Sequence, residues 1–118
     1  MTQDQHRLAD YLTHILQAIE RIDSYIADMD ELAFLKNSLV QDAVIRNFEI
    51  IGEASNSINK RFPDFVTQNP DLPLTSAYQM RNALAHGYFK VDFEMLWKTI
   101  SNDLPQLYEQ VQAVLPKD

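Results

Sequence analysis

The chain has 118 residues, enough for one hydrophobic core and too few for two. Apolar residues make up 46% and charged residues 23%, which argues against disorder, and the lack of cysteine excludes both a disulfide framework and a thiolate metal site. A net charge of −7 excludes a generic nucleic-acid binder, which would be basic, so any contact with nucleic acid needs a local cationic spot. The two glycines supply few backbone positions with positive φ, which disfavours a turn-rich β fold. No basic segment followed by an apolar run opens the chain, and no apolar stretch approaches a membrane span of about 20 residues. A cytoplasmic protein without membrane contact is therefore expected, folded as a single helical domain over residues 1–118.

Residues 5–28 read as a first helix. Leu8, Tyr11, Leu12, Ile15, Ile19, Ile22 and Ile26 recur at steps of three and four and form one stripe. His6 and His14 fall near its start and off the stripe, where solvated surface positions are expected. An acidic link follows, in which Asp30 is placed to cap a short turn through Phe34 and Leu35. A second long helix is expected over residues 38–59, with Ser38 as its N-cap. Its apolar positions, from Leu39 through Val44, Phe48 and Ile51 to Ile58, cover nearly half the circumference at about 100° per residue. So wide a face predicts burial against two or three helices, a partner chain among the candidates. Asn47 falls inside that face, and a buried amide needs hydrogen bonds. It is either a satisfied structural residue or part of a site or interface. Asp42, Arg46, Glu49 and Glu53 form the opposite stripe, read as solvated and self-paired through Asp42–Arg46 and Arg46–Glu49; Arg46 could also reach a phosphate. Gly52 sits mid-helix, where it costs about 1 kcal/mol against Ala, and close approach of another helix would justify it.

Lys60 and Arg61 suit the last turn of this helix by the dipole alone. Residues 62–74 hold Pro63, Pro70 and Pro73 and read as the main connection, crossing the end of a bundle. A third helix is expected to start at an N-cap Thr75 and to end at Gly87. Asp92 caps a fourth, whose stripe of Phe93, Leu96, Trp97, Ile100, Leu104, Leu107, Val111 and Val114 keeps its phase across Pro105. A kink or a tight restart is expected there. The fold class is all-α, an up-and-down bundle of four main helices with room for one or two short extra ones.

Reactive side chains concentrate in one stretch, Arg81-Asn82-Ala83-Leu84-Ala85-His86-Gly87-Tyr88-Phe89. Asn82 and His86 stand at i,i+4 and share a helix face, so the amide could orient the imidazole. Arg81 and His86 lie about 140° apart on an ideal helix. They converge if the helix ends and unwinds at His86, or if two chains face each other across a two-fold axis. Such a set suffices for RNA cleavage. The 2′-hydroxyl attacks its own neighbouring phosphorus, a group near neutral pKa such as His moves protons, and the planar fork of Arg takes phosphate oxygens. The nucleophile is in the substrate, so neither metal nor cofactor is expected, and DNA should resist. The residues by themselves leave a second reading open: a helix-terminal His, an Arg in a surface ion pair and a Tyr packed on a loop.

Arg81 and Asn82, three further positions and His86 resemble the signature of the HEPN superfamily. With Tyr88 two residues on, the pattern is similar to that of HepT toxins. Residues 41–54 (QDAVIRNFEIIGEA) and the run His86-Gly87-Tyr88-Phe89 leading to Asp92 and Trp97 resemble the same family, so the likeness covers nearly the whole chain. Residues 74–79 depart from the family pattern, where a Trp-Arg type pair is expected. The resemblance implies a ribonuclease toxin of a two-component toxin–antitoxin module, acting as a homodimer or higher oligomer with both motifs in a shared cleft. It implies Arg81 and His86 as catalytic residues, on the scissile phosphate and as acid/base, with Asn82 orienting the site. It also implies a nucleotidyltransferase antitoxin of the MntA type that transfers AMP from ATP to Tyr88; phosphate added beside Arg81 and His86 would block the anion site. Lys90, Lys60 and Arg61 are weaker candidates for contacts to the RNA backbone. The alternative in a different class is a non-catalytic HEPN module that binds a nucleotide or the nucleotidyltransferase.

Overall fold

The structure, a computed structural model, describes residues 3–86 and 91–115. Among them it contains only helices: α1 (Gln3–Ile26), α2 (Glu31–Leu35), α3 (Ser38–Arg61), α4 (Pro63–Gln68), α5 (Leu74–His86), α6 (Phe93–Asn102) and α7 (Leu104–Val114). This is the expected all-α architecture of four main helices, with the fourth divided into α6 and α7 and with α2 and α4 as the short extra ones. No helix among the described residues is long and apolar enough to cross a membrane.

The stripe of α1 is the spine of the core: Leu12, Ile15, Ile19 and Ile22 are completely shielded. They pack on α3, whose Val44, Phe48, Ile51 and Ile58 are equally buried. α3 is the central element, touching α1, α2, α4 and α5. That accounts for the width of its apolar face within a single chain. Leu39, counted in that face, is instead 79% exposed on the first turn. Asn47 is a satisfied structural amide: its NH2 donates to the Ala43 carbonyl at 2.9 Å and its oxygen accepts from Arg21 at 3.5 Å.

Local chemistry sets the ends. Asp30 caps α2 as expected, accepting from the Ala33 N–H at 2.8 Å. The last carbonyls of so short a helix have no intrahelical donors. The buried Gln41 donates to the Phe34 and Leu35 carbonyls at 3.0 and 3.1 Å, and the Phe34 carbonyl also accepts from the Asn37 N–H at 3.2 Å. Phe34 is thereby held in the core, tilted against Trp97 at 5.3 Å and edge-on to Phe93 at 6.3 Å. The cap of α3 is Asn37 rather than Ser38. Asn37 is the last extended residue (φ −117°), and its side chain accepts from the Val40 N–H at 3.0 Å, while Ser38 is already helical.

The connection over residues 62–74 is not all loop, because Pro63 opens α4. A proline in the first helical turn forfeits no hydrogen bond, so it starts a helix there rather than breaking one. α5 begins at Leu74, one residue before the expected cap Thr75, with the Pro73 carbonyl accepting from the Ala77 N–H at 3.0 Å. Asp92 caps α6 through the Met95 N–H at 3.0 Å. At Pro105 the restart prevails over the kink: α6 ends at Asn102, and α7 opens with Pro105 in its first turn. The buried residues Leu96, Ile100, Leu104, Leu107 and Val111 run through both helices. α7 closes against α1, where the Tyr108 hydroxyl donates to the Glu20 carboxylate at 2.7 Å.

Candidate active site

The site grows from the contact between α3 and α5. α5 buries only Leu74 fully among its described side chains and rests mainly on α3. Gly52 makes that seating possible. A Cβ at position 52 would collide with Arg81 Cβ, stand 2.7 Å from Arg81 Cγ and meet the Ala77 carbonyl oxygen at 3.2 Å. The mid-helix glycine is therefore the seat of the arginine stem.

From there the stem carries its guanidinium outward. Nη1 donates to Asn82 Oδ1 at 2.9 Å and Nη2 to Glu53 Oε1 at 3.4 Å. Nε is shielded from solvent and has no acceptor among the described residues. The side chain as a whole is 30% exposed, against 60% for Glu53. Arginine has five N–H donors. Counting partners among the described residues only, one is enclosed and two are engaged, which leaves one N–H on each terminal nitrogen for an incoming anion.

The sequence-predicted residues are thus partly brought together. Arg81 and Asn82 meet: the Asn82 oxygen accepts from Arg81, while the expected contact of Asn82 with His86 lies outside the described side chains. The backbone of α5 runs through His86, which places residues 82 and 86 on one helix face; the described side chains of α5 extend to Leu84. Gly87, Tyr88 and Lys90 lie outside the described residues. Lys60 and Arg61 are exposed, eight and nine residues beyond Gly52 on α3. At 1.5 Å per residue they stand about 12 Å or more along the axis from the Arg81 seat. Arg46 pairs with Glu49 at 3.4 Å, as expected, on the same stripe as Glu53.

Sequence reasoning assigned Glu53 to a solvated stripe. It is solvent-exposed as expected, but it pairs with Arg81 on α5 rather than within the stripe, the one acidic partner of Arg81 among the described side chains. The available signal was adjacency: the residue after a mid-helix glycine points beside whatever that glycine admits.

A groove of about 300 Å³ opens elsewhere, between α3, α5 and α7. Its lining is mostly apolar, with Phe48, Ile51, Ala77, Met80, Leu104 and Leu107, and Arg81 is not part of it. Its chemistry does not suit a phosphate. Among the described residues no three His, Asp or Glu side chains gather closely enough to hold a metal ion.

With this geometry in view, residues 15–114 match the family model described as Ribonuclease HepT-like. The chain belongs to the ribonuclease HepT-like family. It is 43% identical over 98 residues to "Probable ribonuclease HepT" of Thermococcus cleftensis, covering 83% of this chain and 86% of that one. It is 36% identical over 104 residues to a protein of Methanocaldococcus jannaschii named as a candidate RNase, covering 88% and 93%. A candidate RNase of Caldanaerobacter subterraneus subsp. tengcongensis is 33% identical over 108 residues, covering 92% and 94%. No solved structure matches the chain significantly. The HepT-like match spans both α3, with Gly52 and Glu53, and all of α5, so Arg81, Asn82 and His86 fall within it.

Proposed function

We propose that this HepT-like chain is a metal-independent endoribonuclease and the toxin of a toxin–antitoxin pair. The observation that carries the reading is Arg81 on its glycine seat, with one N–H on each terminal nitrogen that no described residue takes, inside a segment matched to a ribonuclease family. A guanidinium so held can take two oxygens of a phosphodiester and stabilise the charge that grows as the phosphorus becomes five-coordinate. The 2′-oxygen attacks the adjacent phosphorus and the bond to the 5′-oxygen breaks. His86 takes up or delivers the proton, and the products are a 2′,3′-cyclic phosphate and a 5′-hydroxyl. Water is not consumed in this step, and nothing in it calls for a metal.

On one α5 helix, positions 81 and 86 diverge by about 140°. In this reading the working unit is a homodimer, with Arg81 of one copy and His86 of the other meeting on one phosphate. The antitoxin is a small nucleotidyltransferase of the MntA type. The Tyr88 oxygen attacks the α-phosphorus of ATP, pyrophosphate leaves, and the phenolic proton passes to solvent or a base. The AMP then places negative charge against Arg81 and excludes RNA.

Expression of the chain alone is expected to arrest growth, and expression of His86→Ala to be harmless. Incubation with ATP and an MntA-type partner should add mass to Tyr88 in steps of AMP, and Tyr88→Phe should escape neutralisation. A His86→Ala chain as toxic as the parent would remove the catalytic assignment. Tight binding of the nucleotidyltransferase without any RNA cleavage would instead favour the non-catalytic module.

A further inference from the structure

We propose that Glu53 is a positioning residue for Arg81, setting the plane of the guanidinium so that its two remaining N–H groups present a fork to the scissile phosphate. This rests on the ribonuclease reading above and names a residue of the same site. The juxtaposition is specific. Glu53 follows the glycine on which the Arg81 stem is seated, and its Oε1 lies 3.4 Å from Nη2. Asn82, next to Arg81 in the chain, holds Nη1 at 2.9 Å. One acceptor leaves a guanidinium free to swing about the Cδ–Nε bond. Two acceptors on opposite terminal nitrogens define its plane.

Stability does not account for the pair. Glu53 is 60% exposed, and an ion pair so open to water contributes little to folding. The enclosed Nε–H, which no acceptor among the described residues reaches, fits an Arg81 placed for its outer edge rather than for a complete set of internal bonds. An arginine loses considerable rotamer freedom when fixed, and a fixed fork is worth that loss where the two non-bridging oxygens of a phosphodiester must be met.

The carboxylate also shapes the energetics. It repels RNA in the ground state, so it weakens initial binding. It holds the guanidinium where the attacked phosphorus gains charge, so it favours the transition state. A group with those two effects raises kcat without lowering KM.

The test uses the full-length protein and a short RNA in EDTA, with kcat and KM measured separately for Glu53→Ala and Glu53→Gln. Glu53→Ala is expected to lower kcat by about tenfold to a hundredfold, the scale of a misplaced catalytic group, with KM unchanged or reduced. Glu53→Gln keeps an acceptor oxygen and removes the charge, so it should recover most of kcat and bind RNA more tightly. Both variants should melt within a few degrees of the parent. The second readout needs no activity: the ¹⁵N{¹H} NOE of Arg81 Nε is expected to fall in Glu53→Ala towards that of a free surface arginine and to stay high in Glu53→Gln. An unchanged kcat or an unchanged NOE in Glu53→Ala overturns the assignment. A parent protein that cuts no RNA would sink the ribonuclease reading and the catalytic half of this one, while the NOE still decides whether Glu53 holds Arg81.

Discussion

Replacing Gly52 by Ala sets two effects of known size against each other. Alanine in a helix interior favours α3 by about 1 kcal/mol over glycine. The added Cβ, however, stands 2.7 Å from Arg81 Cγ, whereas carbon atoms pack best at about 3.5–4.0 Å. Arg81 cannot relieve this by changing rotamer alone, because its own Cβ, fixed by the α5 backbone, is among the atoms met. The Ala77 carbonyl at 3.2 Å closes the other side. α5 must therefore move away from α3 by about 1 Å, and overpacking of that kind costs about 1–3 kcal/mol. We expect a net loss of up to about 2 kcal/mol, and for a chain of this size a Tm lower by up to roughly 10 °C. Because α5 carries Arg81 and His86 and rests mainly on α3, RNA cleavage should fall by more than the stability loss explains. Urea unfolding at constant m, together with cleavage at a temperature where the variant is fully folded, measures both. A Gly52→Ala chain as stable as the parent and as active would refute the reading of Gly52 as the seat of Arg81.

The other expected outcomes are simpler. Gln41→Ala removes the Gln41 donor from the Leu35 carbonyl and leaves the Phe34 carbonyl to the Asn37 N–H, and about 1–3 kcal/mol of stability should be lost in chemical denaturation. Burial, followed by the neighbouring Glu20 carboxylate, raises the pKa of Asp23 above its ordinary value of 3.8. Its charged form thus opposes folding above the raised pKa, and this penalty fades as pH falls towards 3.8. Asp23→Asn should accordingly gain at most about 0.5 kcal/mol at pH 7, with the advantage shrinking towards pH 4; thermal melts across that range read the slope.

Much of the fold was legible because its determinants are local. The stripes of α1, α3 and the α6–α7 run follow from steps of three and four, and Asp30 and Asp92 are caps by residue type and place. The misplacements are cases where neighbouring residues compete for one role. Asn37 took the cap from Ser38 because the turn after α2 leaves it, and not its neighbour, extended. Pro63 reads in sequence as part of the connection, though the same ring geometry suits a first helical turn.

The site was legible as residue types and only half legible as geometry. Arg81 and Asn82 stand out in sequence, and Gly52 signals a close approach without naming what approaches. Glu53 was hidden because its partner lies 28 positions away, and the surface stripe explained it equally well. The Asn82 oxygen accepts from Arg81, its neighbour in the chain. Adjacency in the chain brought two polar groups together that a helical-face argument separates.

The most direct test of the central claim is the chemistry of the RNA ends left by the purified protein in excess EDTA. The account predicts 2′,3′-cyclic phosphate and 5′-hydroxyl ends from the parent chain, and no cleavage from either Arg81→Ala or His86→Ala. Products bearing 3′-hydroxyl and 5′-phosphate ends, or undiminished cleavage by the two variants, would contradict it.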